Sequence, residues 1–113
     1  MPIMTTKLKN AILRQAGTMN LKFTLKNINI NGRKVGCSGF IRNLDNNSVV
    51  YTTTEETVAS WLTFMYRRAD DEKDYGSRRW FNQWTKSKDL DELAECICHL
   101  LSQSPTAEGC ARR

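Results

Sequence analysis

The sequence predicts an α+β protein: a three-stranded antiparallel sheet, built as a hairpin meander, with one helix before it and three after, in the order α-β-β-β-α-α-α. Three observations carry that expectation. From Leu21 the apolar residues recur at every second position, an Asn31-Gly32 pair then offers a hairpin turn, and helical spacings of three and four frame the strands on both sides.

The first helix starts where Thr5 or Thr6 can cap it, carries Leu8, Ala11 and Ile12 on one stripe, and ends at Gly17. Leu21, Phe23 and Leu25 then alternate with Lys22, Thr24 and Lys26 in a first strand. Asn31-Gly32 suits a two-residue turn because both positions tolerate positive φ, and a second strand follows from Arg33 to about Leu44. Apolar parity switches between Leu25 and Ile28, so a one-residue bulge is expected near Lys26-Asn27. With it, Leu21, Phe23, Leu25, Ile28, Ile30, Val35, Cys37 and Ile41 face the core. The opposite face presents Lys22, Thr24, Lys26, Ser38, Phe40 and Arg42, with Tyr51 beside them.

Residues 44–48 make a second turn, and Val49 to Thr53 a third strand. Thr53-Thr54-Glu55-Glu56 has the form of a capping box and predicts a helix to about Arg68, with Val58, Leu62 and Met65 inward. Residues 70–76 are an acidic loop. Ser77 then caps a short helix containing Arg78-Arg79-Trp80-Phe81-Asn82-Gln83-Trp84. On a helix, Trp80, Phe81 and Trp84 fall within an arc of about 100° and the arginines lie opposite. Rings and cations so segregated describe a buried anchor, not a stacking surface. A last helix begins at Asp89-Leu90-Asp91-Glu92, buries Leu93, Ala94, Ile97, Leu100 and Leu101, and stops at Ser104-Pro105.

A chain of 113 residues is one domain by length, here 1–104 with a flexible tail over 105–113; residues 1–18 form a docked helix or an appendage. No run of about 18 apolar residues offers a membrane span. The first 18 residues lack the apolar stretch of a secretory signal, so Cys37, Cys96, Cys98 and Cys110 are expected as reduced thiols in the cytoplasm. Cys96 and Cys98 point about 200° apart on a helix, which argues against a shared metal ion. His99 is the only histidine; no Cys–His or Ser–His pair has local support, no glycine-rich phosphate loop occurs, and the paired acids Asp70 and Asp71 lie in a charged loop where solvation accounts for them. The chain is thus expected to be no enzyme and to need no cofactor.

Charge is the informative feature. Residues 1–44 hold eight lysines and arginines and no acid, while residues 45–113 hold nine basic and twelve acidic residues. The basic half is expected to contact nucleic acid, DNA or RNA, mainly through phosphates. Lys22, Lys26, Arg33, Lys34 and Arg42 would supply affinity, with Phe40 and Tyr51 as stacking rings. The alternative is a protein-binding adaptor or inhibitor that meets an acidic surface, or acts on a nucleic-acid-handling protein.

The α-β-β-β-α order expected over residues 5–68 is similar in topology to the double-stranded-RNA-binding domain. That resemblance implies RNA binding, but Glu55 and Glu56 stand where the family's phosphate-reading lysines open the second helix. Small DNA-binding modules that lay a sheet in the major groove offer a second topological likeness.

Overall fold

Twelve residues, Met4–Gln15, wind into helix α1, and their apolar positions decide how it docks: Met4, Leu8, Ala11 and Ile12 are buried on one stripe. The computed structural model describes residues 4–30, 33–56, 62–75, 82–87 and 90–104; the side chains of 30, 33–35, 62 and 82–87 stand outside that description. After α1 come β1 (Leu21–Ile30), β2 (Arg33–Asn43), β3 (Ser48–Glu56), β4 (Leu62–Ala69), β5 (Asn82–Ser87) and helix α2 (Asp91–Leu101). β1 to β4 form a four-stranded antiparallel meander, and β5 lies beside β4 at its edge, giving the order β1-β2-β3-β4-β5.

The α+β class and the meander agree with the sequence; the element count does not. Where a capping box predicts a helix, Thr53 to Glu56 extend β3, and Leu62–Ala69 form β4 antiparallel to it. The reason is visible in the side chains. Val49 to Thr54 is an unbroken run of β-branched and aromatic residues, and Thr52 and Thr54 are buried with Oγ1 donating to the carbonyls of Met65 (2.8 Å) and Thr63 (3.1 Å). In β4 the period is two: Phe64 and Tyr66 are buried towards the helices. The short helix expected from Ser77 is also overturned, since Asn82 to Trp84 belong to β5; Trp80 and Phe81 lie outside the described residues. Among the described residues one helix, α2, follows the sheet.

Both helices cover one face of the sheet. Leu8, Ile12, Leu93, Ile97 and Leu101 meet Cys37, Ile41, Val50 and Phe64 in a single core. Each such aliphatic side chain contributes about 1.5–3 kcal/mol by leaving water. Arg14 pairs with Asp91 at 3.0 Å, and the Gln15 side chain donates to the Asp91 carbonyl at 2.9 Å, joining the two helices at their rim. The last carbonyls of α2 are met by the β2–β3 turn. Asn43 Nδ2 donates to the Leu101 carbonyl (2.8 Å), and Asn46 Nδ2 to those of Leu101 (3.0 Å) and Gln103 (3.2 Å), which Ser48 Oγ also reaches. Among the described residues no helix is long and apolar enough to cross a membrane.

The β1–β2 hairpin has the expected first pair, Ile30 with Arg33, with Asn31-Gly32 outside the described residues. Its bulge is displaced. Asn29 pairs with Lys34 and Ile28 with Gly36, so the extra residue is Val35 in β2, not a residue at Lys26-Asn27. Parity in β1 therefore runs on through Asn27, which sits opposite buried Cys37, and Ile28 lies on the other face. Gly39 makes the close strand pairing possible: a Cβ there would collide with the Thr24 carbonyl oxygen, and its φ of 150° disfavours any side chain. Gly39→Ala is expected to cost about 1–3 kcal/mol, read as a lower urea midpoint.

Candidate nucleic-acid interface

The face of the sheet away from the helices carries three cross-strand rows. Lys22, Arg42, Val49 and Ala69 form one; Thr24, Phe40, Tyr51 and Arg67 the next; Lys26, Ser38, Thr53 and Met65 the third. Strand parity thus brings Lys22, Lys26, Phe40, Arg42 and Tyr51 to one face. Arg33 and Lys34 stand in β2 near the hairpin tip, with side chains outside the described set.

What covers the face changes its chemistry. The acidic segment of residues 70–75 folds across the first two rows. Its shape is held by Lys73 N–H donating to Asp71 Oδ1 and Asp70 N–H to Asp74 Oδ2, both at 2.8 Å. Glu72 accepts two parallel hydrogen bonds from Arg42, Nε to Oε2 and Nη2 to Oε1, each 2.8 Å, and lies 3.7 Å from Lys22 Nζ. Tyr75 packs edge-on against Phe40 and Tyr51, with centroids at 5.3 and 5.7 Å. Phe40 stacks on Tyr51 at 4.7 Å and is left 1% exposed. Arg67, equally buried, lies over the Tyr51 ring at 4.7 Å and 3.7 Å from the Asp74 carboxylate. The middle row is therefore a second small core, and Phe40 offers no open ring face to a base.

Arg42 is likewise engaged. Its fork holds the Glu72 carboxyl down at about 2, against an ordinary 4.5, with the coulombic pull of Arg42 and Lys22 adding to the hydrogen bonds. A carboxyl depressed in the folded state stabilises the fold above its unfolded pKa and loses that contribution as pH falls through the folded one. The stability advantage of wild type over Glu72→Gln is thus expected to be full above pH of about 4.5 and to vanish as pH drops to about 2. Urea midpoints of the two proteins across that window check it.

Cations without a carboxylate among the described residues are found along β1. Among the described residues Lys26 and Lys9 have none within ion-pair distance, and Lys22, its side chain 59% exposed, has the outer reach of Glu72. Lys9 comes from α1. At about 100° per residue, Thr5 and Lys9 stand on one flank of the buried stripe, Lys7 and Arg14 on the other. The Lys7–Arg14 flank turns towards α2, as the Arg14–Asp91 pair shows; the Thr5–Lys9 flank turns towards β1. There Thr5, Thr6 and Lys9 form one wall of an open groove of about 210 Å³, and Phe23 and Leu25 form the other. Lys9 Nζ lies 5.5 Å above the Phe23 ring.

Phe23, Leu25 and Lys9 are residues that sequence reasoning leaves out of the site. The signal is nevertheless there: the first strand of a meander is an edge, so its apolar residues are only half covered by the helix above. Among the described residues no strand pairs with the outer side of β1. The topological likeness to the double-stranded-RNA-binding domain is withdrawn, because its second helix would span residues that form β3 and β4. No protein-family model, no curated protein and no solved structure matches the chain.

Proposed function

We propose that this chain is a small, non-enzymatic nucleic-acid-binding protein whose contact runs along the β1 edge and the adjoining flank of α1. The observation supporting this reading is the acid-free stretch of residues 1–44 combined with Lys9 and Lys26, whose charges no described carboxylate offsets. Lys22 joins them, and Arg33 and Lys34 continue the basic character of β2. Arg42 serves the fold through Glu72, and Phe40 and Tyr51 serve the second core. No base-reading motif accompanies the lysines, so affinity comes from phosphates and sequence preference is weak.

Titrating binding against salt tests this. A contact through about three lysines gives a log–log slope of about −2 to −3, and each of Lys9→Ala and Lys26→Ala lowers it by about 0.7–0.9. Salt-indifferent, weak retention of DNA and RNA alike would end the proposal. The outer edge of β1, which no strand among the described residues pairs, favours one second reading, an acidic extended segment of a partner protein adding a strand there. Partners that survive nuclease treatment in a pull-down would point to it.

The setting proposed is the cytoplasm. Cys37, Cys96 and Cys98 are free thiols, and burial pushes Cys37 up to about 12, which keeps it protonated and unreactive in a reducing compartment.

A further inference from the structure

We infer that the groove between α1 and β1 is a subsite for one unpaired base of a single-stranded nucleic acid, stacked on Phe23. This rests on the proposed nucleic-acid function and narrows its ligand. Three features meet there. The groove is open and walled by Phe23 and Leu25 on one side and by Thr5, Thr6 and Lys9 on the other. Its aromatic ring is partly buried against the core, and over it lies the exposed ammonium of Lys9 at 5.5 Å, a cation on a flexible stem that can swing to a phosphate when a base takes its place. The groove also lies on an edge strand that presents Lys22 and Lys26 on its other face, about 13 Å apart along the chain.

A strand of nucleic acid running along β1 meets these groups together. Phosphates reach Lys9 from one side of the edge and Lys26 from the other, Lys22 being shared with Glu72 at 3.7 Å. The Thr5 and Thr6 hydroxyls can donate to a base edge or a phosphate, as can the outward N–H groups of β1. An unpaired base has a free face for Phe23. In a duplex both faces of each base are taken by neighbouring base pairs, which leaves none for the ring. The alternation of β1 thus divides the labour, with odd residues making the apolar floor and even residues carrying charge.

Fluorescence anisotropy with a labelled oligo(dT) of about 12 nucleotides, and with a duplex of equal length, tests the inference. Phe23→Leu keeps the apolar packing and removes the π-face. It is expected to weaken single-strand binding about tenfold, with the salt slope and the urea midpoint nearly unchanged. Wild type is expected to prefer the single strand over the duplex. Equal binding of both, or a Phe23→Leu protein that binds as wild type does, overturns the inference and leaves the broader proposal standing so long as the salt slope persists. No binding of either oligonucleotide, nor of an oligo(U) of equal length, removes both. Displacement of the oligonucleotide by poly-glutamate at equal charge concentration overturns the base subsite in favour of an acidic peptide on the same edge.

Discussion

Phe40→Ala is expected to lower stability by about 3–5 kcal/mol, a loss that urea unfolding reads directly. The ring is 1% exposed, stacked on Tyr51 and closed over by Tyr75, so truncation opens a cavity between β2 and the 70–75 segment. Part of the cost comes from lost ring–ring geometry, about 0.5–1.5 kcal/mol for such a pair. Phe40→Leu, which refills most of the volume, is expected to recover more than half. Oligonucleotide affinity of the folded fraction is expected to stay at the wild-type value, because the ring has no solvent face. A loss of affinity without a loss of stability would mean that the segment lifts away and that Phe40 is a contact residue.

Arg67→Ala is expected to cost a similar amount, about 3–5 kcal/mol, for a different reason. The guanidinium is buried with Nη1 donating to the Arg68 carbonyl (3.0 Å) and Nη2 to that of Asp74 (2.7 Å). Removing it takes the Nη1 and Nη2 donors from those carbonyls, the positive charge from 3.7 Å beside the Asp74 carboxylate, and the cation from above Tyr51. Losing a buried donor costs its acceptors more than the hydrogen bonds are worth. Arg67→Lys is expected to restore less than half: an ammonium keeps the charge but not the planar fork that stacks on the ring and reaches both carbonyls. Thermal or urea unfolding of the three proteins decides, and a near-neutral Arg67→Ala would show that the second core does not depend on this cation.

Much of the architecture was legible because side-chain alternation and turn chemistry act locally. Asn31-Gly32 joins Leu21–Ile30 to Arg33–Asn43 and sets their first pair, Ile30 with Arg33, and the stripe of Leu93, Ala94, Ile97 and Leu101 marks α2. Sequence and structure part where two local signals compete. Thr53-Thr54-Glu55-Glu56 satisfies a helix cap, yet those threonines also continue a β-branched strand, and pairing with Met65 and Thr63 decides between them. In β4, Leu62 and Met65 fit a helical stripe as well as Phe64 and Tyr66 fit a strand; only the neighbouring strand breaks the tie. The bulge was needed but misplaced, because parity in β1 does not say which partner absorbs the extra residue.

The site was legible in charge and not in geometry. The eight cations of the acid-free stretch lie in residues 1–44, which form α1, β1 and β2. What the sequence could not show was that Glu72, thirty residues from Arg42, returns to it, or that Tyr75 covers Phe40. Contacts of that separation are fixed by the path of the chain between them, which here includes the very strand read as a helix.

The junction of α1 with α2 has a consequence for synthesis. Arg14 and Asp91 are 77 residues apart, so at about 5–20 residues per second a ribosome needs roughly 4 to 15 seconds to deliver the second after the first. Through that interval Leu8 and Ile12 lack the helix that finally shields them, and the nascent chain offers chaperones a greasy handle. The helix made first is finished last.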